Sequence, residues 1–391
     1  MGADLDAFAR ETLAGLEEAG RRRRLRPTAV LDNRRVERAG RALVDFSAND
    51  YLGLASDTEV TAAASEALAR HGAGGRASRL ITGNHPEYTA LEAELAALKG
   101  SEDAVVFGSG FLANLGLLTA LAGRHDLILA DRLNHACLVD GARLSGARVL
   151  RYPHGDTEAV RERLHRYRGE HRHCLLVTDG VFSMDGDLAP LGELAELAAA
   201  YGCWLMSDDA HGVGVVGDGA GSTRAAGLSA REVPLQMGTL SKAVGGYGGY
   251  VCTSGPVAEL IRNRARSFVY TTALPPATVA ANRAAVARIR RDPALCRRPL
   301  ALARRLADRL GLPRPDSPIL PVVLGDDSTA LAAQEALEGA GYLVQAIRPP
   351  TVPEGTARLR IALRAPHSEA DVDGLAEALA PLLPADTERG P

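Results

Sequence analysis

The sequence predicts an α/β protein with a large lobe on a mainly parallel sheet and a smaller C-terminal α+β lobe. From residue 42 to about residue 285, short apolar runs alternate with helical patterns, as in Ala104–Phe107, Leu127–Ala130, Arg148–Tyr152, Cys174–Thr178 and Trp204–Ser207. This alternation is typical of βα units, whose strands pair in parallel. With 391 residues, of which 46% are hydrophobic, the chain can bury a core of this size.

Three segments are predicted along the chain. Residues 1–41 form an arm, with an amphipathic helix over Leu5–Leu16 and a polar stretch after the basic run Arg21–Arg24. Residues 42–285 form the large lobe, in which the helix after Pro86 is expected to bury one face. Residues 286–391 form the smaller lobe, and we expect its tail after Pro384 to be disordered. Its elements are predicted over Ile319–Leu324, Ser328–Ala340, Tyr342–Ile347 and Arg358–Leu363.

Charge and cysteine usage exclude several classes of function. The net charge is −3, with 45 basic and 48 acidic residues, so nothing favours a nucleic-acid or membrane partner over a small molecule. The N-terminus lacks the basic start and apolar stretch of a secretory signal. Five cysteines lie far apart without a CxxC pair, which argues against a disulfide framework or structural zinc. A cytoplasmic location is expected.

A lysine in a glycine-rich turn is the sharpest local signal. Lys242 follows Gly238-Thr239-Leu240-Ser241 and precedes Gly245, Gly246, Gly248 and Gly249. Small neighbours allow an aldehyde to approach the amine closely, as pyridoxal phosphate (PLP) chemistry requires. A lone lysine of this kind is more often a surface residue. The interpretation of Lys242 therefore depends on its companions, the other residues that a PLP site requires.

Those companions follow the apolar run Trp204–Met206. Asp208 is placed where a parallel strand delivers ligand-binding side chains, and it can hold a pyridinium nitrogen protonated. His211, in the same turn, can hydrogen-bond the phenolic oxygen of the cofactor. The alternatives are a helix cap or a metal site, but no second cluster at ligand spacing supports a metal.

Two further segments complete the predicted PLP site. Gly108–Asn114 follows the strand Ala104–Phe107 and opens a helical pattern, so its backbone N–H groups can cradle a phosphate. A single turn of this kind is weak evidence. His135, just after the strand Leu127–Ala130, can stack on the pyridine ring.

At these residues the chain resembles the α-oxoamine synthase family over nearly its whole length. The resemblance includes Asn49–Leu54, Val181–Asp187, Tyr270–Thr272 and Ile347–Pro353. It implies PLP fold type I (aspartate-aminotransferase-like), a homodimer with shared active sites, and decarboxylating condensation of an amino acid with an acyl thioester. One departure is Asp179, where the family frequently has glutamate, and we assign it no role.

The resemblance also implies roles residue by residue. Lys242 is the Schiff-base lysine, Asp208 the pyridinium partner, His211 the phenolic-oxygen partner and His135 the stacking residue, which also faces substrate. The other cofactor contacts are Gly110, Phe111, Ser183 and Thr239, with Thr271 and Thr272 reaching the phosphate of the neighbouring subunit. The substrate contacts are Asn49 and Arg360 for the amino-acid carboxylate, and Arg22 and Thr351 for the acyl group.

Flanking segments favour one substrate pair within the family. Ala130–Ala136, Ala346–Arg360 and Arg22 are more similar to members that join L-alanine to a pimeloyl thioester, carried by coenzyme A or an acyl carrier protein, than to those using glycine and acetyl-CoA. Carbon dioxide and the free thiol leave in the expected reaction. The alternatives are another acyl and amino-acid pair, an ordinary aminotransferase, or a PLP-binding module without activity.

Overall fold

The computed structural model describes residues 4–18 and 20–383, so the predicted tail after Pro384 lies outside the described residues. The strands of these residues form three sheets. In chain order they are β1 (Ala29–Val30), β2 (Arg35–Arg38), β3 (Arg41–Asp45), β4 (Asp103–Phe107), β5 (Leu127–Asp131), β6 (Arg148–Tyr152), β7 (Cys174–Asp179), β8 (Trp204–Asp208), β9 (Leu235–Thr239), β10 (Gly249–Thr253), β11 (Ile319–Gly325), β12 (Tyr342–Leu343), β13 (Gln345–Ile347) and β14 (Ala357–Ala362).

The helices flank these sheets, with one π-helical turn over Arg79–Gly83. They are α1 (Leu5–Glu18), α2 (Thr58–His71), α3 (Pro86–Lys99), α4 (Gly110–Leu121), α5 (Ala136–Ser145), α6 (Thr157–Tyr167), α7 (Leu191–Tyr201), α8 (Ser222–Ala225), α9 (Gly255–Arg264), α10 (Arg266–Val269), α11 (Pro276–Arg291), α12 (Pro293–Leu310), α13 (Asp327–Gly339) and α14 (Glu369–Leu379). Among the described residues, no helix is both long and apolar enough to cross a membrane.

The large sheet has seven strands in the order β4-β10-β9-β8-β7-β5-β6. Only β10 runs antiparallel to its neighbours, so the predicted, mainly parallel sheet is confirmed. The predicted strands of this lobe are each present to within one residue at either end. Helix α3 also buries its predicted face, since Tyr88, Leu91 and Leu95 are almost completely inaccessible.

Both faces of the large sheet are covered by helices. On β7, Leu175 and Val177 pack against residues of α4 and α5, whereas Leu176 packs against α6 and α7 on the opposite face. Since alternate side chains both meet apolar surroundings, the strand reads as a continuous hydrophobic run. Burial of each such side chain stabilises the fold by about 1.5–3 kcal/mol.

The smaller C-terminal sheet differs from prediction in one strand. It consists of β11, β14 and β13, packed with α12, α13 and α14 around a separate apolar core. The single strand predicted over Tyr342–Ile347 is wrong, because β12 pairs with β3 and β13 pairs with β14. A buried Val344 separates the two pieces, so a segment in which only Gln345 is strongly polar conceals a change of sheet.

The N-terminal segment contains more structure than the predicted helix and polar stretch. Helix α1 is present but buries none of its residues in this chain. Strands β1, β2 and β3 follow and join β12 in a four-stranded sheet, which brings this segment against the C-terminal part. The lobe boundaries at residues 41 and 285 stay predictions.

The strands of the large sheet position the site. Asp179, Asp208 and Thr239 are the last residues of β7, β8 and β9, which are adjacent and parallel. Their side chains therefore meet at one edge of the sheet. Carboxyl ends of parallel strands are the usual place for ligand binding in such folds.

Candidate active site

A cavity of about 220 Å³ lies at this edge. Its walls include residues from four strand-to-helix connections and from the connection between β9 and β10, which lie far apart in the chain. The sequence-predicted residues among them are Gly110, Phe111, His135, Ser183, Asp208, His211, Thr239 and Lys242.

Lys242 provides the only amine in this cavity. The chain has two lysines, and Lys99 is buried in an ion pair with Asp209 at 2.6 Å. Lys242 Nζ lies 2.8 Å from His211 Nε2. Burial lowers the pKa of Lys242 to about 8, and the nearby Asp208 and Asp179 carboxylates oppose that shift. A neutral, nucleophilic amine is therefore accessible near neutral pH.

Asp208 presents a carboxylate that the protein does not neutralise. It accepts hydrogen bonds from the side-chain amide of Asn114 at 2.6 Å and from the backbone N–H of Ala210 at 3.0 Å. It is buried, yet none of the ion pairs among the described residues includes it. Since a buried anion needs a cationic partner, the site suits a protonated ring nitrogen.

The ring of His135 is held in place as the N-cap of α5. Its Nδ1 accepts a hydrogen bond from the backbone N–H of Cys137 at 3.3 Å and lies 2.8 Å from the Cys137 thiol. Burial lowers the pKa of His135, which favours the neutral imidazole. A fixed, uncharged ring on the cavity wall is suited to stacking on a flat cofactor.

Asp179, to which we assigned no role, lies in the cavity wall. Its Oδ2 accepts a hydrogen bond from the backbone N–H of His135 at 3.2 Å, and Oδ1 has no partner among the described residues. Burial, reinforced by the Asp208 charge, raises the pKa of Asp179 well above its usual value. This side chain therefore helps to position His135.

The predicted phosphate cradle is the start of α4. Ser109 caps this helix by accepting a hydrogen bond from the backbone N–H of Leu112 at 3.2 Å. Gly249 packs so closely that a Cβ atom there would lie 2.5 Å from the Ser109 carbonyl oxygen. Gly110 and Phe111, in the first turn of α4, line the cavity, and backbone N–H groups at a helix start attract an anion. Together with Lys242 and Asp208, they fit the phosphate, aldehyde and ring nitrogen of PLP.

Asn49 and Arg360 meet beside the cavity rather than in its wall. Arg360 donates to Asn49 Oδ1 and to the Tyr51 hydroxyl, each at 3.2 Å, and to the backbone carbonyl of Ser183. Tyr51 in turn lies 2.7 Å from His211 Nδ1. Tyr51 and Asn114 were missed as site residues, although both lie inside segments that the sequence analysis singled out.

Four further predicted residues also lie outside the cavity wall. Arg22 and Thr351 border a second cavity of about 590 Å³. The arginines around that cavity are Arg21, Arg22, Arg23, Arg24, Arg26, Arg38 and Arg348. Thr271 donates its hydroxyl proton to the Ser267 carbonyl at 2.7 Å, and neither it nor Thr272 lines the first cavity. In the described part of the chain, no cluster of three His, Cys, Asp or Glu residues could hold a metal ion.

The fold and the site define a PLP-dependent enzyme of fold type I. A family profile for aminotransferase class I and II matches residues 41–379. The chain belongs to this family and, within it, to the α-oxoamine synthases.

Known proteins resemble the chain over almost its full length. It is 59% identical to a putative 8-amino-7-oxononanoate synthase of Acidiphilium cryptum, covering 95% of this chain and 97% of that protein. An 8-amino-7-oxononanoate synthase of Methylobacterium nodulans is 56% identical, with 97% of each chain covered. Among solved structures, serine palmitoyltransferase of Sphingomonas wittichii superposes with a TM-score of 0.91 at 32% identity, covering 97% and 98% of the two chains.

Proposed function

We propose that this enzyme condenses L-alanine with a pimeloyl thioester, releasing carbon dioxide and a free thiol and forming 8-amino-7-oxononanoate for biotin biosynthesis. The names of the relatives at 59% and 56% identity support this substrate pair. The solved serine palmitoyltransferase shares the fold at a lower identity of 32%. The proposed substrate pair therefore follows the names of the relatives with the higher sequence identity.

The observation that carries the proposal is a buried arginine without a carboxylate partner. On strand β14 and just after it, Arg358 pairs with Asp185 and Arg364 pairs with Asp50. Arg360 is only 7% exposed, yet among the described residues its partners are neutral oxygens. A guanidinium in this setting is suited to binding the carboxylate of an amino acid with two hydrogen bonds.

Each residue around the cavity then has its own role in the proposed reaction. Arg360 and Asn49 hold the carboxylate, which orients the Cα–H bond toward Lys242. The neutral Lys242 amine takes the Cα proton and later returns one to the product. PLP, when bound, would supply an electron sink for the pair that deprotonation leaves, and Asp208 would stabilise the positive charge on its ring nitrogen. His135 would lie against the ring.

The second cavity is a candidate place for the acyl donor. Its seven arginines outnumber the three glutamates that pair with them, Glu17, Glu338 and Glu354, so the surface is net positive. Both coenzyme A and the prosthetic group of a carrier protein contain phosphate, which such a surface can bind. Arg22 and Thr351 border it, as the proposed acyl contacts. This arrangement supports a thioester carried by a phosphorylated group, which both coenzyme A and an acyl carrier protein provide.

A substrate panel tests the proposal. Acetyl, pimeloyl and palmitoyl thioesters of coenzyme A and acyl carrier protein are each mixed with glycine, L-alanine or L-serine, and thiol release is measured. We expect the highest kcat/KM with L-alanine and a pimeloyl thioester. Preference for another pair would show that the proposed substrate pair is wrong. Conversion of the cofactor to its amine form without thiol release would indicate an aminotransferase.

We also propose a homodimer in which Thr271 and Thr272 serve the neighbouring active site. Apolar side chains near the cavity and these threonines are exposed in the single chain, which favours a partner surface. They are Leu80, Ile81, Phe111, Tyr247 and Tyr270. A Lys242→Ala chain mixed with a Thr271→Ala/Thr272→Ala chain should regain activity, because one site in each hybrid is complete. Confirmed hybrids without activity would contradict shared sites.

We also propose that the protein is located in the cytoplasm. All five cysteines are free thiols, and four of them are buried. Free thiols are typical of a reducing compartment. Fractionation of cells that express the protein, with a periplasmic marker as control, tests this location, and recovery with that marker would contradict it.

A further inference from the structure

We propose that Tyr51 is a positioning residue that holds the proton of His211 on Nε2, so that this nitrogen acts as a hydrogen-bond donor toward the cofactor. Neutral imidazole carries its proton on either nitrogen, and only one of the two forms can donate into the cavity. The inference rests on the proposed PLP-dependent function and on the family role of His211 as the phenolic-oxygen partner, but it concerns the protonation of the His211 ring itself.

The hydrogen-bond directions around the Tyr51 hydroxyl carry the argument. Arg360 can only donate, so the hydroxyl oxygen accepts its hydrogen bond at 3.2 Å. The hydroxyl proton then has two possible acceptors, His211 Nδ1 at 2.7 Å and Asn49 Oδ1 at 3.4 Å. The first distance is normal for a strong hydrogen bond and the second is long. Tyr51 therefore donates to Nδ1, which leaves the imidazole proton on Nε2.

Both the side chain and the backbone of Tyr51 are held in place. Its side chain is completely buried, and its backbone carbonyl accepts a 2.7 Å hydrogen bond from the backbone N–H of Ala365, just beyond β14. The rings of Tyr51 and His211 meet edge to face, with centroids 6.0 Å apart. Neither ring can turn away without disturbing this packing, so the tautomer is set before any ligand binds.

The groups facing His211 favour a neutral ring. Lys242, Arg360 and His135 are the nearby basic groups, and Asp208 and Asp209 lie in the same turn. Burial lowers the pKa of His211 well below its usual value, and the positive charges of Lys242 and Arg360 act in the same direction. Lys242 Nζ lies 2.8 Å from Nε2, and a neutral amine can accept a hydrogen bond from a protonated Nε2, so this contact is compatible with the proposed tautomer.

Tyr250 offers a matched control. It is also completely buried, but its hydroxyl has no hydrogen-bond partner among the described residues, and it does not line the cavity. Removing this hydroxyl costs no hydrogen bond, whereas removing that of Tyr51 leaves Nδ1 without its donor. Comparison of the two phenylalanine variants thus separates the hydrogen bond from general effects on packing.

The primary experiment is nitrogen NMR of the holoenzyme labelled with ¹⁵N-histidine, with the His211 signals assigned by their loss in His211→Gln. We expect wild type and Tyr250→Phe to carry the proton on Nε2 and Tyr51→Phe to show a mixture of tautomers. Protonated Nδ1 in the wild type would overturn the proposal even if Tyr51→Phe failed to fold. An unchanged Nε2 proton in a folded Tyr51→Phe variant would also overturn it.

A spectroscopic titration provides the second measurement. A donor beside the phenolic oxygen stabilises the cofactor form that has lost its proton, so its weakening should raise the midpoint of the absorbance titration. We expect a rise of about 0.5–1 pH unit in Tyr51→Phe and none in Tyr250→Phe. Equal shifts in both variants would contradict a specific role of Tyr51. Since neither measurement uses substrates, failure of the substrate panel would leave this inference standing.

Discussion

The side-chain amide of Asn114 donates a 2.6 Å hydrogen bond to Oδ2 of Asp208. Asn114 lies on α4 and Asp208 ends β8, so the helix that begins at the proposed phosphate cradle also positions the carboxylate proposed to meet the ring nitrogen. One rigid element would therefore align two of the proposed contacts to PLP.

We predict that Asp208→Asn retains PLP but slows exchange of the Cα hydrogen of L-alanine by about 100- to 1000-fold, because an amide cannot balance the charge of a protonated ring nitrogen. Asn114→Ala, which removes one hydrogen bond, should slow it by about tenfold. Exchange into deuterated water is followed by proton NMR. Asp218→Asn, an exposed carboxylate paired with Arg297, is the control. Normal exchange in Asp208→Asn would remove that residue from this role.

We predict that Lys242 is the point of covalent attachment. Borohydride reduction followed by peptide mapping should place the pyridoxyl group on the peptide that contains it, and Lys242→Ala should lose both the absorbance of the lysine-bound cofactor and turnover. The chain contains a single other lysine, Lys99, which is engaged by Asp209. Label on Lys99 would show that the central assignment is wrong.

We predict that Arg360→Lys lowers kcat/KM for L-alanine by about 10- to 100-fold, mainly through a higher KM. Lysine keeps the charge but loses the paired donors that match a carboxylate. The variant should retain bound PLP, since Arg360 does not line the first cavity. Arg297→Lys, on the surface, should behave as wild type. An unaltered KM in Arg360→Lys would exclude the proposed carboxylate contact.

We predict that Arg22 contributes to selection of the acyl donor. Pimeloyl-CoA ends in a second carboxylate, which acetyl-CoA lacks, so Arg22→Ala should reduce the preference for pimeloyl-CoA. The reduction should be at most about fivefold, because exposed charge pairs contribute only about 0–1 kcal/mol. Arg24→Ala is a matched control, since Arg22 and Arg24 pair with the same Glu17. Equal losses with both donors would make Arg22 a contact to coenzyme A instead.

Much of the large lobe could be predicted because its strands are buried on both faces and read as distinct apolar runs. The strands of the smaller lobe were harder to predict. Tyr342–Leu343 and Gln345–Ile347 look like one strand, and only the position of Arg41–Asp45 in space shows that the first pair belongs to another sheet. Strand pairing over such a distance along the chain leaves no local signal.

The sequence by itself determined the chemistry of the site. Lys242, Asp208, His211 and His135 have side chains whose functional groups match a PLP site, and each follows a strand or a small-residue turn that can be recognised locally. Only the tertiary structure decided the contacts between them. Asn114 meets Asp208, Tyr51 meets His211, and Arg360 has no carboxylate partner within residues 4–18 and 20–383, because strands and helices distant in the chain converge at one sheet edge. Hydrogen-bond direction and charge balance depend on distances between atoms, which residue order alone does not specify.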